Sequence, residues 1–172
     1  MSNCCASSAK PPYASTFDAF GLNGPKAICP ECGKTGKGVE EITVKHLLKE
    51  EKISQLGEAS HLFCENPKCD VVYFSTQPGP VFHKNDLRVR VGLKETEAPI
   101  PVCYCFGYTE RMIFEEIKTM GTTTIPDRIR DEVRAGNCQC VVENPRGLCC
   151  LGDIGRTVKK GMARNPFSGA GE

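Results

Sequence analysis

The sequence lacks an excess of charge of either sign. Its 172 residues include 22 Lys and Arg against 21 Asp and Glu, which gives a formal net charge of +1 at pH 7. Domains that bind nucleic acid through its phosphates usually carry a clear excess of positive charge. The composition therefore gives no electrostatic reason to expect a nucleic-acid or acidic partner, and no nucleic-acid binding is predicted.

A long apolar run and a signal peptide are also missing from the sequence. A membrane-spanning helix needs roughly 20 consecutive apolar residues, and export needs an N-terminal signal. We therefore expect a cytoplasmic protein with no membrane insertion. The sequence likewise contains no Gly-rich phosphate loop, no Ser/His/Asp set and no open metal site, so no conventional catalytic site is predicted.

Cysteine, by contrast, is abundant, with 12 residues in the chain. In a reducing compartment, clustered cysteines indicate metal or redox chemistry before disulfides. The length allows two small metal-stapled modules, and we predict an α+β fold in which a β-rich zinc module precedes a helical module. The cysteines form three groups along the chain: Cys4 and Cys5; Cys29, Cys32, Cys64 and Cys69; and Cys103, Cys105, Cys138, Cys140, Cys149 and Cys150.

The middle group consists of two cysteine pairs, with two residues inside the first pair and four inside the second. Between the pairs we predict a strand over 39–44 and an amphipathic helix over 45–56, and a strand over 71–74 follows them. Two such pairs around a strand and a helix are a strong pattern for a closed tetrahedral zinc site. The predicted ligands are Cys29, Cys32, Cys64 and Cys69.

The three histidines are weaker ligand candidates. His61 is an alternative to one of the four thiolates, but with four cysteines available we expect a satisfied or surface imidazole. His46 and His83 stand alone in the sequence, so neither is predicted to bind metal.

Proline and glycine divide the rest of the chain. After the Pro78-Gly79-Pro80 break we predict strands over 81–82 and 87–91, the second half-exposed because apolar and basic residues alternate. The stiff Pro99-Ile100-Pro101 segment places a domain boundary near residue 97. The predicted domains are a flexible arm over 1–26, a zinc-binding domain over 27–97, a helical domain over 98–164 and a disordered tail over 165–172.

The helical half carries clear start and stop signals. Thr109 is a predicted N-cap and Gly121 the C-terminal stop of a first helix whose buried face carries Ile113, Ile117 and Met120. A second helix runs from Thr124 to Gly136, with Pro126 in its first turn, and a third follows Cys150 with Ile154, Val158 and Met162 on one face.

The six cysteines of this half have the spacing of an iron–sulfur site more than of a zinc site. We expect Cys105 and Cys150 to lie just ahead of helices, whose N-terminal N–H groups favour negative sulfur. Cys138 or Cys140, together with Cys149 or Cys150, completes the set, so four ligand combinations remain open. A second zinc site is the alternative.

Several separated motifs, spanning residues 27 to 160, carry a family resemblance. They are Cys29-Pro30-Glu31-Cys32, the stretch 63–74, Pro101-Val102-Cys103-Tyr104-Cys105 and the stretch 140–150. Together they resemble the N-terminal domain of the archaeal-type copper chaperone CopZ. That resemblance implies one zinc and one [2Fe-2S] cluster, with the cluster half similar to the helical fold of bacterioferritin-associated ferredoxin. It implies zinc at Cys29, Cys32, Cys64 and Cys69, and the cluster at Cys103, Cys105, Cys140 and Cys150.

The residues favour the same choice among the open combinations. Cys140 opens the Val141-Val142 run and Cys150 stands at the head of the third helix, whereas Cys138 lies in the looser Gly136-Asn137 turn. Cys138 is an extra cysteine relative to the family pattern, either a spare thiol or an alternative ligand.

The resemblance implies a redox protein of copper or soft-metal homeostasis that passes one electron and reduces Cu(II) to Cu(I). The implied partners are a copper-carrying chaperone domain or a copper-transporting ATPase. Cys4 and Cys5 form a candidate soft-metal site for Cu(I) that belongs to neither resident centre. The family's copper-carrying domain with a Met-x-Cys-x-x-Cys loop does not occur within these 172 residues. The competing function is a non-redox metal-binding scaffold with both centres structural.

Overall fold

Four short antiparallel strands form the sheet of the N-terminal half. The structure, a computed structural model, describes residues 27–164. The strands are β1 (Lys37–Val39), β2 (His61–Phe63), β3 (Val71–Ser75) and β4 (Val81–His83), and they lie in the order β1-β2-β3-β4. Leu62 pairs with Phe74 across β2 and β3, and Phe74 pairs with Val81 across β3 and β4. The strands predicted over 71–74 and 81–82 are confirmed.

The central strand β3 is buried on both of its faces. Val71, Val72, Tyr73 and Phe74 are each no more than 2% exposed. A register shift between Val71 and Tyr73 interrupts the usual alternation of faces. As a result Val72 and Tyr73 enter one hydrophobic cluster, while Val71 and Phe74 enter another that contains three cysteines and packs against a fourth, Cys32. The strand therefore joins the main core to the middle cysteine group.

Two short helices, α1 (Glu41–Leu47) and α2 (Glu50–Ile53), connect β1 to β2. The prediction of a strand over 39–44 was wrong beyond Val39, and the predicted helix over 45–56 is two helices. Thr43, Val44 and Leu47 are buried at helical spacing against the core, and this packing outweighs the β-propensity of the local sequence. Helix α1 ends at Leu47 because the backbone of Leu48 is extended and forms a β-bridge with Leu87.

The segment after β4 is irregular, so the strand predicted over 87–91 was wrong. Two single-turn 3₁₀ helices, Lys84–Asp86 and Gly92–Lys94, flank it, and only Leu87 makes a β-bridge. Leu87 and Val91 are both buried in the main core, which they reach without forming a ladder. At Gly92 a Cβ atom would lie 1.9 Å from the carbonyl oxygen of Pro101, so only glycine fits there.

The C-terminal half is a small hairpin followed by four helices. Its elements are β5 (Pro101–Cys103), β6 (Tyr108–Thr109), α3 (Glu110–Met120), α4 (Ile125–Arg134), α5 (Cys140–Glu143) and α6 (Leu151–Arg164). Their buried core contains Val102, Cys103, Ile113, Ile117, Ile125, Ile129, Cys150 and Ile154. The α+β fold class is thereby confirmed. Within residues 27–164, no helix has the length and apolar character needed to cross a membrane.

The predicted helix ends of this half are largely confirmed. Thr109 Oγ1 accepts a hydrogen bond from the Met112 N–H at 3.4 Å, and Gly121 adopts a φ of 74° at the end of α3. Met120, predicted on the buried face, is instead 54% exposed because it is the last residue of the helix. Thr124 precedes α4 as predicted, but its side chain makes no capping hydrogen bond.

Candidate metal centres

Four thiols converge beside the sheet of the N-terminal half. Cys29 and Cys32 lie in a tight turn before β1, Cys64 directly follows β2, and Cys69 lies two residues before β3. All four Sγ atoms lie within 4.8 Å of one another. The Sγ atoms of Cys29 and Cys69 are 3.9 Å apart, and those of Cys32 and Cys64 are 3.6 Å apart. This is a closed tetrathiol group of the kind that holds a structural zinc.

The protein environment acts unequally on these thiols. A hydrogen bond from the backbone N–H of Lys34 lowers the pKa of Cys32 to about 6. Burial raises the pKa of Cys64 to about 12 and also raises the pKa of Cys69. Buried thiolates of this kind need a cation, because a bound metal offsets the cost of removing their protons.

A buried lysine lies against this group. Lys94 is 4% exposed, and its Nζ donates hydrogen bonds to the carbonyl oxygens of Asn66 at 2.9 Å and Cys69 at 3.0 Å. The ammonium also lies 5.5 Å from the centre of the Phe63 ring. Burial lowers the pKa of Lys94, whereas negative charge on the four cysteines opposes that shift.

No carboxylate among residues 27–164 forms an ion pair with Lys94. Its counter-charge is therefore the thiolate group itself, since a buried ammonium is costly without negative charge nearby. A zinc ion held by four thiolates has a net charge of −2, so the residues present fit zinc. Nothing in the local sequence around Lys94 indicates this role, because Lys94 follows Cys69 by 25 residues.

Lys94→Met is expected to weaken zinc binding by about 10- to 100-fold, the usual range for a residue that supports a metal ligand. The substitution keeps a long apolar side chain but removes the charge and both hydrogen bonds to the Cys64–Cys69 loop. Competition with a chromophoric chelator measures the change in affinity. Lys118→Met, at an exposed lysine in the last turn of α3, is the control. Equal zinc affinity in both variants would contradict a role for the Lys94 charge.

None of the three histidines belongs to the tetrathiol group. His61 is 3% exposed and lies outside the compact group of four Sγ atoms; burial lowers its pKa, and its Nε2 has no hydrogen-bond partner. The expectation of a satisfied or surface imidazole at His61 was therefore wrong. His46 and His83 each lie beside a carboxylate. Nε2 of His83 lies 2.6 Å from Oε1 of Glu31, and Nε2 of His46 lies 3.3 Å from Oε1 of Glu143.

The C-terminal half brings a second set of four thiols together from two loops. Cys103 ends β5, Cys105 lies in the turn before β6, Cys140 is the first residue of α5, and Cys150 directly precedes α6. Cys103 and Cys150 are 1% and 2% exposed, whereas Cys105 and Cys140 are partly exposed with their Sγ atoms 3.8 Å apart. Among the described residues, no three of these sulfurs form a group as compact as the first one.

Hydrogen bonds link the members of this second set. The Cys150 thiol lowers the pKa of Cys140 to about 5 and lowers that of Cys103, while these two neighbours raise the pKa of Cys150 itself. Burial raises the pKa of Cys105 to about 12. The contacts therefore run from Cys103 to Cys150, from Cys150 to Cys140, and from Cys140 to Cys105.

One expectation about this set was wrong. Cys150 does lie at the start of α6, but Cys105 is five residues before α3 and separated from it by β6. Its Sγ accepts a hydrogen bond from the backbone N–H of Gln139 at 3.3 Å instead. A loop amide thus supplies the donor that a helix terminus was expected to supply.

The remaining cysteines are placed as follows. Cys149 is exposed, and Cys138 is half-buried with its thiol hydrogen-bonded to Cys140. Cys4 and Cys5, the arm over 1–26 and the tail over 165–172 lie outside the described residues.

Comparisons with known proteins agree with this geometry. Residues 26–88 match the zf_CopZ family model, described as a zinc binding domain. The chain is 41% identical over 123 residues to the copper chaperone CopZ of Archaeoglobus fulgidus. That match covers 71% of this chain and 57% of the relative, so the chain spans little more than half of the relative's length. The X-ray structure of the Archaeoglobus fulgidus CopZ N-terminal domain is similar with a TM-score of 0.62 and 38% identity, covering 76% of this chain and 96% of that one.

Proposed function

This chain belongs to the family of the CopZ N-terminal domain, and from that membership we propose that it is a zinc- and [2Fe-2S]-containing redox protein of copper homeostasis. In this role the protein passes single electrons to Cu(II). The family match makes the N-terminal half a zinc-binding domain, whereas the cluster, the electron transfer and the copper substrate belong to the proposal.

Zinc is assigned to Cys29, Cys32, Cys64 and Cys69 and has a structural role. The four Sγ atoms lie within 4.8 Å of one another and leave no protein position open for a substrate. The buried ammonium of Lys94 compensates part of the negative charge.

The cluster is assigned to Cys103, Cys105, Cys140 and Cys150. The observation that supports it best is the convergence of the four thiols: the Sγ atoms of Cys105 and Cys140 are 3.8 Å apart, and the Cys150 thiol is hydrogen-bonded to those of Cys140 and Cys103. Four converging thiols suit a two-iron centre, in which four thiolates are shared between two irons. When bound there, a [2Fe-2S] cluster supplies a carrier for one electron.

The partly exposed thiols of Cys105 and Cys140 determine where electrons enter and leave the protein. Cys105 and Cys140 are the more accessible members of the set. The hydrogen bond that Cys105 Sγ accepts from the Gln139 N–H stabilises negative charge on that sulfur. Cys103 and Cys150 hold the opposite side against the helical core. We assign electron exchange to the Cys105 and Cys140 edge.

Copper is the substrate in this proposal. One electron converts Cu(II) to Cu(I), the oxidation state that thiolates prefer, and an external one-electron donor restores the protein. The Archaeoglobus relative is named a copper chaperone, which supports this choice. The recipient of Cu(I) is a copper-carrying chaperone domain or a copper-transporting ATPase.

The colour of the protein tests the proposal. Protein purified without oxygen is expected to be brown, to lose its visible absorption with one electron from dithionite, and to regain it when one equivalent of Cu(II) is added. A Cu(I)-specific chelator measures the product. A colourless protein that contains only zinc would contradict the cluster, and a brown protein that does not bleach would favour the non-redox scaffold.

A further inference from the structure

The segment between Cys140 and Cys150 rests on the zinc-binding half. Thr43 Oγ1, in α1, donates a hydrogen bond to the carbonyl oxygen of Val141 at 2.5 Å. Tyr73 Oη, in β3, donates one to the carbonyl oxygen of Pro145 at 2.8 Å. Both donors are completely buried. Each end of this segment is a proposed cluster ligand, so the zinc-binding half fixes the backbone between them.

Ion pairs of Arg146 also connect the 140–150 segment to the residue that follows the zinc ligand Cys64. Arg146 donates to Glu65 Oε1 at 2.9 Å and to both carboxylate oxygens of Asp153 at 3.2 Å. Glu65 directly follows Cys64, and Asp153 lies in the first turn of α6, three residues after Cys150. Arg146 therefore links the Cys64–Cys69 loop to α6, the helix that directly follows Cys150.

The other ligand loop is attached to the same half. Tyr104, between Cys103 and Cys105, accepts a hydrogen bond from the Gly92 N–H at 2.8 Å and donates to the Arg90 carbonyl at 3.2 Å. The same segment continues to Lys94, whose ammonium binds the carbonyl of Cys69. Both loops that carry the proposed cluster ligands are thus hydrogen-bonded to residues of the zinc-binding half.

The 140–150 segment has little structure of its own. Its single helix, α5, has four residues and no buried side chain. A helix this short is not stable without tertiary contacts. The sheet beneath it depends in turn on the tetrathiol group, since a small module cannot bury enough apolar surface without its metal.

We propose that zinc binding must precede cluster binding, because the zinc-loaded sheet is the surface on which the cluster-ligand loops take up their positions. This inference rests on the proposed function, since it concerns the ligands assigned to the cluster there. In the zinc-free protein the segment over 140–150 is released, and the four thiols no longer converge.

Iron-free protein tests the order of binding without relying on the cluster. Hydrogen exchange of the 140–147 amides, measured by mass spectrometry, is expected to accelerate at least tenfold when a chelator removes zinc. In reconstitution with iron and sulfide, zinc-loaded protein is expected to form the cluster and zinc-free protein to fail. Unchanged exchange, or equal cluster formation without zinc, would overturn the inference. Failure of zinc-loaded protein to form a cluster while its 140–147 amides remain zinc-dependent would instead contradict the proposed function alone.

Variants at Thr43 separate this coupling from the stability of the sheet. Thr43→Val removes the hydroxyl that binds Val141, and it is expected to keep full zinc content while exchange of the 140–147 amides rises about five- to tenfold. Thr43→Ser keeps the hydroxyl and is expected to restore protection. Tyr73→Phe, which removes the bond to Pro145, is the second test if Thr43→Val does not fold. Wild-type protection in the folded variants that lack a hydroxyl would overturn the inference.

Discussion

Replacing Cys64 by serine is expected to abolish stoichiometric zinc binding and to unfold the four-stranded sheet. Cys64 is fully buried, and its Sγ lies 3.6 Å from that of Cys32 within the tetrathiol group. Structural zinc sites contribute apparent binding free energies on the order of 10 kcal/mol, which exceeds the stability of most small domains. The variant also leaves the charge of Lys94 facing an incomplete thiolate group.

Metal analysis and far-UV circular dichroism measure these two effects on protein purified without oxygen. Cys149→Ser is the matched control, because Cys149 is exposed and its replacement is expected to leave zinc content and the unfolding temperature unchanged. A Cys64→Ser protein with one zinc per chain and a wild-type unfolding temperature would show that this thiol is not a ligand.

The features that the sequence predicted well are those with local causes. The spacing of the two cysteine pairs indicated the compact tetrathiol group, and the Val71-to-Phe74 run indicated the central strand. Thr109 and Gly121 indicated the ends of α3, because capping depends on residues within one turn of the helix. Each of these signals lies within a few residues of the structure it predicts.

The features that the sequence did not predict depend on contacts between distant residues. The β-branched residues near Thr43 indicated a strand, yet burial of Thr43, Val44 and Leu47 on one face stabilises a helix. Alternation over 87–91 likewise indicated a strand, but Leu87 and Val91 are buried in the main core without a neighbouring strand. The secondary-structure propensity of the local sequence does not reflect such long-range packing.

The supporting residues of the metal centres were missed for the same reason. Lys94 is a single lysine in a polar segment, and its approach to the carbonyl of Cys69 depends on the path of the chain after β4. The bonds from Thr43 to Val141 and from Tyr73 to Pro145 join residues 98 and 72 positions apart. No spacing rule connects residues at such separations.

Cys140→Ser and Cys150→Ser are each expected to abolish or strongly alter the visible spectrum of a [2Fe-2S] cluster, while Cys138→Ser and Cys149→Ser leave it nearly unchanged. Cys150 is 2% exposed at the start of α6, and its thiol is hydrogen-bonded to those of Cys103 and Cys140. Its neighbour Cys149 is exposed. Of the two adjacent thiols, only that of Cys150 is therefore expected to be a cluster ligand.

The choice between Cys138 and Cys140 is closer. Cys140 begins α5 with its Sγ 3.8 Å from that of Cys105 and hydrogen-bonded to Cys150, so it contacts two of the other three proposed ligands. The Cys138 thiol also contacts Cys140, which makes it the nearest replacement ligand. Ligand exchange in Cys140→Ser would give an altered cluster rather than none, and the double variant with Cys138→Ser is expected to remove it completely.

Iron content, visible circular dichroism and electron paramagnetic resonance of the dithionite-reduced protein measure these effects. Zinc content is measured in the same samples, because a variant that loses zinc as well as iron reports a folding defect and not a missing iron ligand. A wild-type spectrum in Cys140→Ser or Cys150→Ser, or loss of the cluster in Cys138→Ser with zinc retained, would overturn the assignment. Since Cys105 and Cys140 are the partly exposed members of the proposed ligand set, their serine variants are also expected to change the rate of electron transfer to Cu(II) more than substitution of Cys149 does.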